Sequence, residues 1–128
     1  MSEPATELGA AEFRIAEDHP RSGTVVLSVH GEADLHVAPD LRDRIASAIA
    51  DGADALVLDL TETTFVDSMA LGVLLGANKR MRGEGGRLGL VVSRPDVRRI
   101  FEITLLDRVF PMYSTRADAL AAEAAGGR

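Results

Sequence analysis

Asp67 and Ser68 stand between an apolar strand-like run, Ala55 to Leu60, and a long helical pattern that opens on Met69, Ala70 and Leu71. Both residue types cap helices, because a short side-chain oxygen accepts from the orphan backbone N–H groups of the first turn. A hydroxyl at such a junction has three chemical uses. It can cap the helix. It can take a phosphoryl group, which would meet free N–H groups and the positive end of the helix dipole. It can act as a nucleophile, which calls for a base and usually a Gly-flanked elbow. The chain holds no G-x-S-x-G, and Met69 and Ala70 follow the serine, so nucleophilic hydrolysis is set aside. Capping and phosphorylation both stay open on the local pattern.

Few other residues have the type and spacing for chemistry. Asp34 lies in a stretch, Gly31 to Val37, that reads as a loop, where an Asp either bonds its own backbone or serves a site. His19, His30 and His36 show no metal-ligand spacing, and nothing beside Asp59 completes a metal site, so Asp59 reads as the polar edge of a strand. The chain has no Cys, which removes disulfides, thiol catalysis and Cys-based zinc sites. Gly83-Glu84-Gly85-Gly86 precedes a strand and lacks the Lys-Ser/Thr of a phosphate loop.

The elements around the serine follow from periodicity. Phe13 to Glu17 alternates and predicts an edge strand, Asp18 to Gly23 reads as a turn, and Thr24 to His30 as a second, antiparallel strand. Pro39 suits a first helical turn, and Leu41, Ile45, Ala48 and Ile49 form one helical stripe, so a helix runs to about Ala50 with Gly52 at its end. Ala55 to Leu60 predicts a central strand, and Thr61 to Thr64 a connector. The next helix runs from about Ser68 to Met81, with Val73, Leu74, Ala77 and Met81 facing a core and Leu71 and Leu75 widening the stripe. Gly72 and Gly76 share one face of it, for close packing on the sheet or as a smooth patch for a partner. Lys79, Arg80 and Arg82 suit its C-terminal dipole.

Further on, Arg87 to Val92 predicts a strand. A helix opens at Pro95 with Val97, Ile100, Phe101 and Leu105 inward and Arg94, Arg98 and Arg99 solvated. Val109 to Tyr113 reads as a short strand. Ser114 or Thr115 with Asp118 caps a last Ala-rich helix bearing Ala117, Leu120, Ala121 and Ala124. Residues 1–12 read as a flexible arm and 123–128 as a flexible tail around one domain, 13–122. The layout is α/β: a mixed, mostly parallel sheet of about five strands with about four helices, its first strand antiparallel.

A chain of 128 residues suits one core. Its 46% hydrophobic and 27% charged content is that of an ordinary globular domain. A net charge of −6 and 4% aromatic residues, with no Trp, argue against a nucleic-acid binder. No run approaches the ~20 apolar residues of a membrane span. The start lacks the basic and apolar blocks of a signal peptide. Those features predict a cytoplasmic protein.

The stretch Asp67-Ser68-Met69-Ala70-Leu71-Gly72-Val73-Leu74 resembles the D-S-[ST]-G-L-G-V-L signature of bacterial anti-sigma factor antagonists, the small free-standing STAS domains. Gly31-Glu32-Ala33-Asp34 followed by Ala38-Pro39-Asp40-Leu41-Arg42 is similar to the family's G-E-[IL]-D…A-P-x-L-R stretch, and Val97 to Pro111 to its late R-x-[IL]-F-x-[IL]-T-x-L…V-F-P run. The likeness covers roughly residues 13 to 122 in order. It implies a single STAS-like domain, no enzyme activity and no cofactor or metal of its own. It implies a partner-binding surface of Asp34, Asp67, Ser68, Met69, Gly72 and Gly76, with Ser68 the phosphorylation site. The implied partners are an anti-sigma factor that is also an ATP-dependent serine kinase, and a metal-dependent serine phosphatase. The implied role is to bind the anti-sigma factor when unphosphorylated, to free sigma, and to be released by phosphorylation. Met69 and Ala70 depart from the signature, which has a small hydroxyl residue and then Gly; Ala33 replaces a larger aliphatic residue. The rival readings are an unswitched interaction module and a small enzyme or nucleotide binder using the helix terminus at Ser68. The oligomeric state is left open.

Overall fold

The computed structural model of the chain describes residues 13–126, so the arm expected over residues 1–12 lies outside it. Six strands and, among the described residues, four α-helices follow one another. They are β1 (Arg14–Arg21), β2 (Thr24–Ala33), α1 (Ala38–Ala50), β3 (Ala55–Asp59), β4 (Thr63–Val66), α2 (Ser68–Gly83), β5 (Arg87–Val91), α3 (Pro95–Ile103), β6 (Met112–Tyr113) and α4 (Arg116–Gly126), with a 3₁₀ turn at Leu106–Arg108. The sheet order is β1-β2-β3-β5-β6, and β4 pairs with β2. β1 is antiparallel to β2, and the remaining pairs are parallel. The mixed α/β sheet is the one expected, with one strand more.

Alternation along the strands sorts the core into two layers. Val25, Leu27 and Val29 of β2, Leu56 and Leu58 of β3 and Leu88 and Leu90 of β5 face α1, α2 and α3 in one cluster. Val26, Val57 and Val91 face the other way, onto Ala119 of α4. The three central strands are therefore covered on both sides, which is why they read as unbroken apolar runs. Leu41, Ile45, Ala48 and Ile49 supply the buried stripe of α1, as their spacing predicts. Gly52, at φ +98°, follows its end in the left-handed region where a side chain would be strained.

Several boundaries differ from the sequence expectation. β1 continues through the predicted turn to Arg21, because an edge strand tolerates Pro20 and the pairing slips between Asp18 and Arg21. β2 likewise runs three residues past His30, to Ala33, where a loop was expected. Its register shifts between Gly31 and Glu32, and Gly31 takes φ +94° at that pivot. Beyond the pivot β2 pairs with β4, which lies in what reads as a connector. Thr63 anchors that short strand by donating its hydroxyl to the Val29 carbonyl at 2.7 Å.

In α2 the buried positions are Ala70, Leu71, Leu74, Ala77, Asn78 and Met81, while Val73 is half-buried and Leu75 is left in water. Leu105, expected inside a helix, follows the end of α3 at φ 63° and is 56% exposed. Arg98 is not merely solvated: it donates to the Val92 carbonyl at 3.0 Å. Residues 123–126, expected to be tail, continue α4. The helix turns Ala119 and Glu123 inward rather than Ala117, Ala121 and Ala124. Two ion pairs set that rotation: Arg87 Nε to Glu123 Oε1 at 2.7 Å and Arg116 Nε to Asp59 Oδ2 at 3.1 Å. Asp59 is thus a buried anchor at the end of β3, not a polar edge; Arg116 also reaches Asp18 and the Ser28 hydroxyl.

Phe101, fully buried on α3, meets Phe110 edge to face with ring centres 6.1 Å apart. Replacing it with Ala leaves a cavity that a packed interior refills poorly. Phe101→Ala is expected to cost about 3–5 kcal/mol, read from the shift of the urea unfolding midpoint.

Candidate functional site

Asp67 organises the junction between β4 and α2. It is the N-cap of α2, with extended backbone angles, and its Oδ1 accepts from the Ala70 N–H at 3.0 Å. Its other oxygen, Oδ2, accepts from the Leu35 N–H at 2.7 Å. Its own N–H donates to the Ala33 carbonyl at 3.1 Å. One carboxylate therefore clasps the loop after β2 to the start of α2. A carboxylate has the acceptor capacity to do both at once.

Asp34 sits half-buried in that loop and behaves as a turn residue. Its Oδ1 accepts from the His36 N–H at 3.0 Å, and its carbonyl accepts from Val37 and Ala38 as α1 begins. Of the two readings open for Asp34, the self-bonded turn is the one its contacts describe. Leu35, Phe65 and Met69 leave large apolar side chains in water along this loop and junction, at 56%, 45% and 56% exposure.

Ser68 is the first residue of α2 and is exposed. The cap is carried by Asp67, so the serine hydroxyl is spared that duty. Ser68, Met69, Gly72 and Gly76 line one side of a groove of about 450 Å³, whose other wall is Arg42, Ile45, Ala46 and Ile49 of α1. A side-chain carbon built on Gly72 or Gly76 would meet nothing within 4 Å. These glycines are not close-packed on the sheet; they keep the groove wall smooth. Both charged residues on the groove are cations, Arg42 near the start of α1 and Arg80 far along α2.

The structure brings four of the six expected partner-binding residues, Ser68, Met69, Gly72 and Gly76, onto this groove. Asp34 and Asp67 are not part of its lining: Asp67 makes the clasp, and Asp34 shapes the turn that the clasp holds. The opposite wall was missed. Ile45 and Ile49 carry a core stripe, and a helical stripe does not reveal that its margin borders an opening. Arg42 closes the stretch that matches A-P-x-L-R, but the match alone gives it no place at a site. Among the described residues no cluster of His, Asp or Glu could hold a metal, and no helix is long and apolar enough to cross a membrane.

The sequence profile of the STAS domain matches residues 16–119. The anti-sigma-F factor antagonist RsfB of Mycobacterium tuberculosis is 36% identical over 103 residues, spanning 80% of this chain and 82% of that protein. The crystal structure of an anti-sigma factor antagonist from Mycobacterium paratuberculosis is similar with a TM-score of 0.76 at 36% identity, covering 95% of this chain and 97% of that one. The Bacillus cell fate determinant SpoIIAA, solved in the phosphorylated form, is similar with a TM-score of 0.68 at 26% identity, over 85% of this chain and 98% of that one.

Removing the Asp67 carboxylate takes away a cap and a loop anchor together. Asp67→Ala is expected to lose about 0.5–2 kcal/mol for the cap and about 1 kcal/mol more for the bond to Leu35. Asp67→Asn keeps one acceptor oxygen of the two and should fall between wild type and Ala. Chemical denaturation reads the stability, and amide exchange at Leu35 and Ala70 shows which bond the Asn retains.

Proposed function

The chain belongs to the STAS domain family, and on that footing we propose that it is an anti-sigma factor antagonist switched by phosphorylation of Ser68. The observation that carries this reading is that Ser68 is exposed on the rim of an open groove and released from capping by Asp67. A hydroxyl with that exposure is within reach of a kinase. The name of the M. tuberculosis relative and the phosphorylated form of SpoIIAA support the role by likeness.

In this reading the unphosphorylated surface of Ser68, Met69, Gly72 and Gly76 docks an anti-sigma factor, and sigma is freed. The anti-sigma factor is itself a serine kinase. The Ser68 oxygen attacks the γ-phosphorus of the ATP it carries, ADP leaves, and the hydroxyl proton passes to a base of the kinase. A metal-dependent phosphatase hydrolyses the product. ATP and metal belong to those partners.

The switch needs no rearrangement of the fold. Phosphorylation adds a charge of about −1.5 to −2 where a small neutral group had been. The helix terminus tolerates an anion. A docked interface does not: the dianion would be crowded, partly desolvated and close to the Asp67 carboxylate.

A specific feature favours a second reading, an interaction module without the switch. Met69, directly after Ser68, is 56% exposed where the signature has a small hydroxyl residue. Its bulk stands where a kinase must approach.

Two measurements decide between them. Incubation with the candidate anti-sigma kinases, followed by mass spectrometry, should place phosphate on Ser68 and none on Ser68→Ala. Calorimetry should show Ser68→Asp binding the anti-sigma factor about a hundredfold more weakly than wild type, or about 2.7 kcal/mol. Unaltered binding by Ser68→Asp with no label on Ser68 would establish the unswitched module.

A further inference from the structure

We propose that Arg42 is the internal receiver of the phosphoryl group on Ser68. The guanidinium crosses the mouth of the groove between α1 and α2 and pairs with the phosphate, closing that end. The proposal rests on the reading that Ser68 takes a phosphoryl group, and it names what the folded protein then does with the charge.

The placement comes from topology. α1 follows β2 and leads to β3; α2 follows β4 and leads to β5. All four strands run parallel, so the two helices run alongside each other in the same direction. Arg42, near the start of α1, therefore lies beside the first turns of α2, and Arg42 and Ser68 line the same opening. The other cation on the groove, Arg80, is twelve residues beyond Ser68 on the same helix, about 18 Å away at 1.5 Å per residue.

Arg42 is also free to move. Its ion-pair contact is with its chain neighbour Asp43, at 3.7 Å, with the two side chains 65% and 73% exposed. Exposed contacts of that kind hold a side chain weakly. Arg80, by contrast, bonds Glu84 at 3.3 Å one turn along its own helix. No carboxylate lines the groove to compete for the guanidinium.

The phosphate, for its part, lacks a full set of partners at its own helix end. Asp67 has already taken the Ala70 N–H, and it places a carboxylate next to the dianion. A cation must offset that charge, and a guanidinium fork matches phosphate oxygens with two parallel bonds. Capture would also withdraw Arg42 from the groove. A partner that sets an acidic residue against Arg42 would lose that contact at the moment the dianion appears.

The test uses the full chain with phosphoserine encoded at position 68, so that it does not depend on finding the kinase. The phosphate is titrated by ³¹P NMR. In the otherwise wild-type protein the second ionisation should lie below its ordinary value of about 6, by about one unit. Arg42→Gln should return it to about 6, and Arg80→Gln should leave it where Arg42 put it. Arg42→Lys, which keeps the charge without the fork, should restore part of the shift. The charged groups beside the phosphate are Arg42 across the groove and Asp67 at the cap; Asp43 touches Arg42 from outside the groove, and an Asp43→Asn control should leave the shift in place. An unmoved titration in Arg42→Gln, or an equal change in Arg80→Gln, overturns the proposal. Failure of the kinase to label Ser68 would overturn the switch reading instead, and the phosphoserine titration would still stand on its own result.

Discussion

The arrangement of the site depends on one carboxylate with two duties. Asp67 accepts from Ala70 and from Leu35, joining the first turn of α2 to the loop that leads into α1. Without it the two helices would be fixed only by what they pack against. With it, their N-terminal ends are tied through the backbone between them. Ser68 follows in sequence and inherits the result. The hydroxyl is left outside, on a helix end already satisfied, next to a groove whose two walls are held at a set spacing.

The sheet sets that spacing. Alternate residues of β2, β3 and β5 fill two separate layers, so neither face of the three central strands can slide without disturbing the other. The second layer is thin in apolar contacts, with Ala119 the buried helix residue in it. It is supplemented by charge. Arg116 ties α4 to Asp59 and Asp18, and Glu123 ties it to Arg87 of β5. Gly89 makes room for this: a side-chain carbon there would come within 3.1 Å of the Tyr113 ring. The helix on the far face therefore closes the sheet without touching the groove.

How much of this was legible in the sequence depends on the range of the interaction. Local periodicity placed α1 and its end near Ala50, and Asp67-Ser68 marked the start of α2 because caps are local chemistry. β4 and the extension of β2 were invisible, since four residues paired across a register shift carry no alternation of their own. The rotation of α4 was misread for a related reason. An Ala-rich helix offers several equal stripes, and the choice among them was made by Arg116 and Glu123 reaching partners 57 and 36 residues away. Of the groove's lining, Ser68, Met69, Gly72 and Gly76 of α2 were named from the sequence and the wall on α1 was not, because a groove is a property of two elements and neither one spells it.

A fold packed on both faces of its sheet constrains what kind of switch the proposed one can be. Where the backbone keeps its place, a modification acts through the charge and volume it adds and through the exposed side chains that answer it. Ser68, as the site of the proposed switch, suits that limit: it is exposed at an open groove, and a dianion there would alter a neighbour's energy rather than the fold's. The composition of the groove then becomes decisive. Two arginines and no carboxylate line it, so the charges on its walls are positive, and a phosphate on Ser68 would offset them. Met69 adds an apolar side chain at the same rim. In the proposed reading a partner matches three things at the groove: an apolar contact at Met69, an uncharged approach at Ser68 and an acidic complement for Arg42 on the facing helix. A surface that asks for all three together can discriminate between partners without any change of shape.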